Sequence, residues 1–370
     1  MLLRNCIAVA AASILAVAAF SQTFFETEPN DDKANANAVT LGAGAFSEIR
    51  GNSTASTLAG IDTFRVKTVA DARGVYRYRL ILTTAGTAGH TGSIRGLTQA
   101  AVALGAWPCA LGAGVASETT VAQTSSTTTT PARFVQWYGF GKEEEIYYRV
   151  TGTASTTIDY VAVFEKQAVA VTDIGRYKAG QITISTIGRT NVDTEIHVFD
   201  CDLNAIPGSS NDDESVPGGG TGATLQSILR RDYGPGKHYL AIGRFNTATH
   251  LGSPCDDDFR TGALLDFPNA VTSGSSTTST VLAGFSVTDA DGARIFAGQT
   301  HQPYEVHWYS FTVLGGGDVN GDCCVDDTDL AIVLEEFGRS GADLPADVNG
   351  DGVVDDTDLA IVLEEFGLGC

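Results

Sequence analysis

The chain has 370 residues and carries 44 Asp and Glu against 23 Lys and Arg, a formal net charge of −21. That balance argues against nucleic acid and anionic lipid as partners, because phosphate binding rests on Lys and Arg. The length fits two or three domains.

Residues 1–21 have the form of a secretory signal. Arg4 sits in a short basic start, an apolar run follows from Cys6 to Phe20, and the small residues Ala19 and Ser21 suit cleavage before Gln22. No later stretch has the roughly 18 continuous apolar residues a membrane helix needs. The expected product is secreted or held at the cell surface by a partner, with no membrane insertion. Loss of Cys6 leaves Cys109, Cys201, Cys255, Cys323, Cys324 and Cys370, an even set in a compartment that permits disulfides. Cys201 and Cys255 fall in one expected domain and are candidates to pair. No C-x-x-C occurs, so zinc and redox chemistry are not expected.

From Gln22 to Val313 the pattern is of strands and turns. Period-two runs are Val75 to Leu82, Ile158 to Phe164, Gln181 to Ile187, Glu195 to Phe199, His238 to Ile242 and Val306 to Val313, with Gly-rich and Ser/Thr-rich breaks between them. Many short strands at this spacing favour antiparallel β-sandwiches. Glu28-Pro29-Asn30-Asp31-Asp32 followed by Gly60-Ile61-Asp62-Thr63-Phe64 resembles the start of the bacterial pre-peptidase C-terminal domain. Asp193-Thr194-Glu195-Ile196, Asn211-Asp212-Asp213 and Gly236-Lys237-His238-Tyr239-Leu240 resemble the same family over residues 172–250. The resemblance implies secreted, non-catalytic β-sandwiches. Two related clusters, Trp137-Tyr138-Gly139-Phe140 and Trp308-Tyr309-Ser310-Phe311, read as corresponding core strands. The expected division is one sandwich over 22–170 and a second over 171–314, with surface loops at Ser125 to Thr130 and Ser273 to Thr280.

Catalytic signatures are missing from the sequence. There is no H-E-x-x-H, no G-x-S-x-G and no Walker-type loop, and the six histidines include no i, i+4 pair. Glu143-Glu144-Glu145 reads as a solvated turn, since catalytic carboxylates must face each other across a cleft. Asn211-Asp212-Asp213-Glu214 and Asp256-Asp257-Asp258 are candidates to close over calcium, against the plainer reading of exposed turns. Trp107, outside any clear strand, is the one tryptophan placed to stack on a sugar.

The C-terminus is the most informative part. Asp326 to Gly338 and Asp355 to Gly367 are identical, reading DDTDLAIVLEEFG, and each completes a twelve-residue, EF-hand-like acidic loop. Calcium wants six to eight oxygens, which such a loop supplies from positions 1, 3, 5, 9 and 12 and a backbone carbonyl at 7. The first set is Asp318, Asn320, Asp322, the carbonyl of Cys324, Asp326 and Asp329. The second is Asp347, Asn349, Asp351, the carbonyl of Val353, Asp355 and Asp358. Position 6 turns sharply and favours glycine; Gly352 fits, whereas Cys323 needs a disulfide to hold the corner.

After each loop, apolar residues recur at helical spacing: Leu330, Val333, Leu334 and Phe337, then Leu359, Val362, Leu363 and Phe366. This predicts two short helices with those faces buried and with Ala331, Ile332, Ala360 and Ile361 off the stripe. Gly338 and Gly367 stop them. Fifteen acidic residues and one Arg lie in 315–370, so the segment should unfold without cations.

Duplicated D-x-N-G-D loops, each followed by Asp-Leu and a helix, resemble the type I dockerin module over residues 315–370. The resemblance implies two bound calcium ions and docking onto a cohesin through loop positions 10 and 11, here Asp327 and Thr328, and Asp356 and Thr357. Equivalent copies would let a partner bind either half after a half-turn. Because the ends of such modules lie close together, it also implies a bridge from Cys370 to Cys323 or Cys324. The fold class expected is mainly β, two antiparallel sandwiches and then a small helical calcium module. The function expected is non-catalytic docking outside the cell. The alternatives are an O-glycosyl hydrolase component or a module that binds polysaccharide.

Overall fold

The computed structural model describes residues 22–52, 60–84, 90–112, 114–125, 133–152, 159–272, 280–341 and 344–370. The signal-like segment and most of the two Ser/Thr-rich loops lie outside these residues. The chain is mainly β, with two helices at its C-terminal end.

Four sheets stack as layers. Sheet I runs in the order Ala263–Leu264, Thr91–Gln99, Glu145–Thr151, Ile61–Thr68, Asn37–Leu41, with Gly114–Ser125 also paired to Thr91–Gln99. Sheet II is Thr23–Phe25, Glu48–Gly51, Tyr160–Ala168, Tyr76–Thr84, Arg133–Gly139, Ala270–Thr272. Sheet III is Thr172–Tyr177, Val306–Val313, Gly236–Arg244, Thr194–Phe199, Ala205–Asn211, and sheet IV is Ile228–Tyr233, Gly180–Ser185, Thr280–Asp289, Gly292–His301. Among the described residues most neighbours are antiparallel and three strand pairings are parallel, such as Thr172–Tyr177 beside Val306–Val313.

Alternation explains the layering. In Glu145–Thr151 only Ile146, Tyr148 and Val150 are buried, as for a strand with one covered face. Val306–Val313 is buried almost throughout because both faces of sheet III are covered. Tyr309, Phe311 and Val313 enter the core shared with sheet IV, while Val306 and Trp308 face sheet II. Arg133–Gly139 does the same on its side. Val135 and Trp137 fill the core between sheets I and II, and Tyr138 turns outward with Phe140 to meet Trp308 at 5.8 and 5.6 Å. Fully burying a side chain of this size contributes about 1.5–3 kcal/mol, so this aromatic seam welds the sandwiches together. Trp137 and Trp308 are core residues, as expected.

One excursion crosses that seam. Between Arg244 and Thr272 the chain runs back to the first sandwich, pairing Ala263–Leu264 with sheet I and Ala270–Thr272 with sheet II. This arm carries Cys255 to Cys109, and Cys201 pairs with Cys323. The Cys201 to Cys255 pairing is therefore overturned: the arm takes Cys255 to the loop around Trp107, while Cys201 sits in a turn facing the C-terminal module.

In that module helices α1 (Asp327–Glu336) and α2 (Asp356–Glu364) share a small core of Val325, Val333, Ala346, Val354 and Val362. The predicted stripe is only partly buried. Leu334, Phe337, Leu363 and Phe366 are 45–55% exposed, and Ile332 packs on the core instead. Loop residues complete the core, so each helix needs only a narrow apolar edge. Cys324 pairs with Cys370, one of the two bridges expected.

The module is seated on sheet III. Gly315 N donates to Val348 O (2.7 Å), Lys237 Nζ to Gly321 O (2.8 Å), and Arg176 to the carbonyls of Asp347 (2.8 Å) and Leu344.

Candidate calcium loops and docking face

The two loops fold alike. In the first, Asp318 Oδ1 accepts from Gly321 N (2.8 Å) and Asp322 N (3.1 Å), and Oδ2 from Cys323 N (2.9 Å). In the second, Asp347 Oδ1 accepts from Gly350 N (2.9 Å) and Asp351 N (3.1 Å), and Oδ2 from Gly352 N (2.9 Å). At position 12 the buried Asp329 takes the amides of Val319, Asn320 and Asp326, and Asp358 takes those of Val348, Asn349 and Asp355. These carboxylates close each loop back onto its own start. Asp326 and Asp355 cap their helices through Thr328 N and Thr357 N, forming capping boxes with Asp329 and Asp358.

Position 6 adopts positive φ in both, 77° at Cys323 and 92° at Gly352. A side chain is disfavoured there, and the disulfide to Cys201 holds Cys323 in place. Asn320 and Asp322, like Asn349 and Asp351, lie side by side on the loop: Asn320 Nδ2 is 3.0 Å from Asp322 Oδ2, and Asn349 Nδ2 3.1 Å from Asp351 Oδ2. Burial pushes the Asp318 carboxyl above its usual range, and Asp329 and Asp322 add to this against the loop amides that favour its charge. Oxygen-only donors ringed around such a turn suit a hard cation, and Asp318, Asn320, Asp322, Asp326 and Asp329 with their second-loop counterparts are the residues that would hold it. The carbonyls of Cys324 and Val353 occupy position 7 of each loop.

Asp327 and Thr328, and Asp356 and Thr357, are exposed in the first turns of α1 and α2. Ala331 and Leu334 continue the first face, and Ala360 and Leu363 the second.

The other acidic motifs divide. Asp256 forms a buried two-pronged pair with Arg231 (2.8 and 3.0 Å), Asp257 accepts the amides of Asp212, Asp213 and Phe259, and Asp258 pairs with Arg260 (3.0 Å). Those three serve the arm and are mostly spoken for. Burial pushes Glu214 up, but hydrogen bonds from Thr221, Ala223 and Gly222 outweigh it and hold the carboxyl at about 2. Glu144 departs from the solvated-turn expectation: it is buried and accepts from Lys142 N (2.8 Å), Thr68 Oγ1 (2.8 Å) and Phe140 N, stapling the turn.

Two convergences were not read from the sequence. Glu26, Glu28 and Asp62 bring carboxylate oxygens within 4.8 Å of one another, and so do Asp193, Asp212 and Asp213. Each joins residues far apart in the chain, and no local spacing signals that. Asp62 is pushed up to about 7 by burial and by Glu26.

Trp107 is half-buried. It packs over Gly208, and the Arg231 guanidinium lies 4.4 Å from its ring. The sugar-stacking expectation loses that face to a cation–π contact.

A cleft of about 370 Å³ between the sandwiches is lined by Glu195, His197, Asp212, Thr247, Gln99 and Thr120 among others. His197 Nε2 lies 2.7 Å from Thr247 Oγ1 and 3.4 Å from Glu195 Oε1. Both contacts fall on one nitrogen, whereas a nucleophile–base–orienter relay uses the two ring nitrogens separately.

No helix among the described residues is long and apolar enough to cross a membrane. Residues 316–366 match the family model of the dockerin type I domain. Dockerin domains bind calcium and dock onto cohesin partner proteins. No curated protein matches the chain.

Proposed function

We propose, with the C-terminal dockerin type I domain as premise, that this chain is an exported, non-catalytic protein. In this reading the domain binds two calcium ions and docks the β-sandwiches to a cohesin-like protein outside the cell. The observation that carries this is the pairing of two near-identical acidic loops with two exposed, equivalent faces.

Each stage follows from the residues. The loop carboxylates of Asp318, Asp322, Asp326 and Asp329, and of Asp347, Asp351, Asp355 and Asp358, repel one another until a divalent cation neutralises them. Their backbone hydrogen bonds set the loop shape, and the capping boxes pass that order into α1 and α2. The helices then present Asp327, Thr328, Ala331 and Leu334 on one side and Asp356, Thr357, Ala360 and Leu363 on the other. Exposed Leu334 and Leu363, beside the exposed Phe337 and Phe366, supply the apolar anchor a protein interface needs. The signal-like segment 1–21 and the family's extracellular occurrence support export.

The test is capture with the full chain from the source organism's secreted and envelope fractions, in calcium and in chelator. Recovery of a cohesin-type protein in calcium alone, lost with Leu334→Ala/Leu363→Ala, is the expected result. Capture indifferent to calcium and to those substitutions would defeat the reading.

A further inference from the structure

We infer that Asp193, Asp212 and Asp213 form a further divalent-cation site, for calcium, at the root of the arm joining the two sandwiches. Their carboxylate oxygens lie within 4.8 Å of one another. Asp212 is only 3% exposed, and its Oδ1 is buried with no hydrogen-bond partner; the same holds for Asp193 Oδ1. A buried carboxylate oxygen that no N–H or O–H reaches is costly, and a carboxylate neighbour makes it worse.

The backbone that carries Asp212 and Asp213 is fixed. Asp257 Oδ2 accepts Asp212 N (3.2 Å), and its Oδ1 accepts Asp213 N (3.2 Å) and Phe259 N (3.0 Å). Asn211 Oδ1 takes Ile228 N (2.7 Å), fixing the other end of the turn. Asp193 sits just before the strand Thr194–Phe199. Glu195 and Asp257 add negative charge around Asp212, and Arg244 offsets part of it at Asp193. Glu195 is itself engaged by Thr247 N (2.6 Å), so it supplies field rather than a free ligand. An all-oxygen, carboxylate-rich donor set selects a hard cation, and calcium tolerates the irregular geometry of a turn. The ion would tie this turn to the strand start and, through Asp257, fix the arm.

The test uses the full chain, calcium alone as the probe, and Asp212→Asn and Asp193→Asn, which keep shape and remove charge. Each variant is expected to bind one calcium fewer per chain than the parent by equilibrium dialysis. Its calcium-induced rise in Tm should shrink by several degrees, while in chelator it melts at or above the parent. Asp347→Ala serves as the control, losing an ion from the C-terminal module and leaving this site filled. If both Asn variants bind as many ions as the parent and gain the same Tm from calcium, the carboxylates share protons and the inference is overturned. Should Asp212→Asn fail to fold, Asp193→Asn alone decides between those outcomes.

Discussion

The two acidic loops carry the same ligand ladder into the same hydrogen-bond pattern, yet they are held by different means. The second loop reaches positive φ at position 6 with Gly352, at no steric cost. The first does it with Cys323, tied to Cys201 of the second sandwich, while its neighbour Cys324 is tied to Cys370. Lys237 and Arg73 also donate to the carbonyls of Gly321 and Asp322 in the first loop. Both loops are also held from sheet III, the second through Arg176 and Gly315, so the difference lies at the corner: glycine shapes one and a disulfide the other. Identical motifs can be equivalent towards a ligand and unequal in what stabilises them.

The largest effect should come from the closing carboxylates. Asp358→Ala removes the acceptor of three amides, two of them on the loop's opening turn, and is expected to cost about 3 kcal/mol or more. Calorimetric titration should lose the second calcium ion, and hydrogen exchange should show α2 unprotected. Asp329→Ala should lose the first ion but leave α1 more protected than Asp358→Ala leaves α2, because two disulfides still hold the first loop. Equal loss of protection in the two helices would erase the asymmetry.

Next in size is the bridge itself. Cys201→Ser/Cys323→Ser is expected to lower stability by about 2–4 kcal/mol and to weaken calcium at the first loop alone. Cys201→Ser/Cys323→Gly should recover most of that affinity, since glycine takes φ 77° without strain. No recovery would mean the bridge does more than shape the corner.

Gly352→Ala should cost about 1–2 kcal/mol, read as weaker calcium binding at the second loop with the first unchanged. The smallest effects should be single changes on the docking faces. Leu334→Ala or Leu363→Ala alone should reduce partner binding about two-fold in surface plasmon resonance, because the other face substitutes, whereas the pair together should abolish it.

Much of this was legible in the residues because it is local. The ladder from Asp318 to Asp329 and the period-two runs Val75 to Leu82 and Val306 to Val313 each declare their structure within a dozen positions. What was not legible depends on distant contacts. Leu334 and Phe337 sit at proper helical spacing and still face solvent, because Val325 and Val354 from the loops fill the core first. Cys255 goes to Cys109 only because the arm returns to sheets I and II, a route no strand pattern encodes. Asp193 meets Asp212 and Asp213 across neighbouring strands, and Trp107 is covered by an arginine from a strand more than a hundred residues on.

The most direct test of the calcium account is hydrogen exchange on the full chain over residues 327–336 and 356–364, in calcium and in chelator, alongside Asp318→Ala/Asp347→Ala. Both helices should be protected only with calcium in the parent, with the greater change in α2, and unprotected in both conditions in the double variant. Protection that persists in chelator, or that the double variant retains, would contradict it.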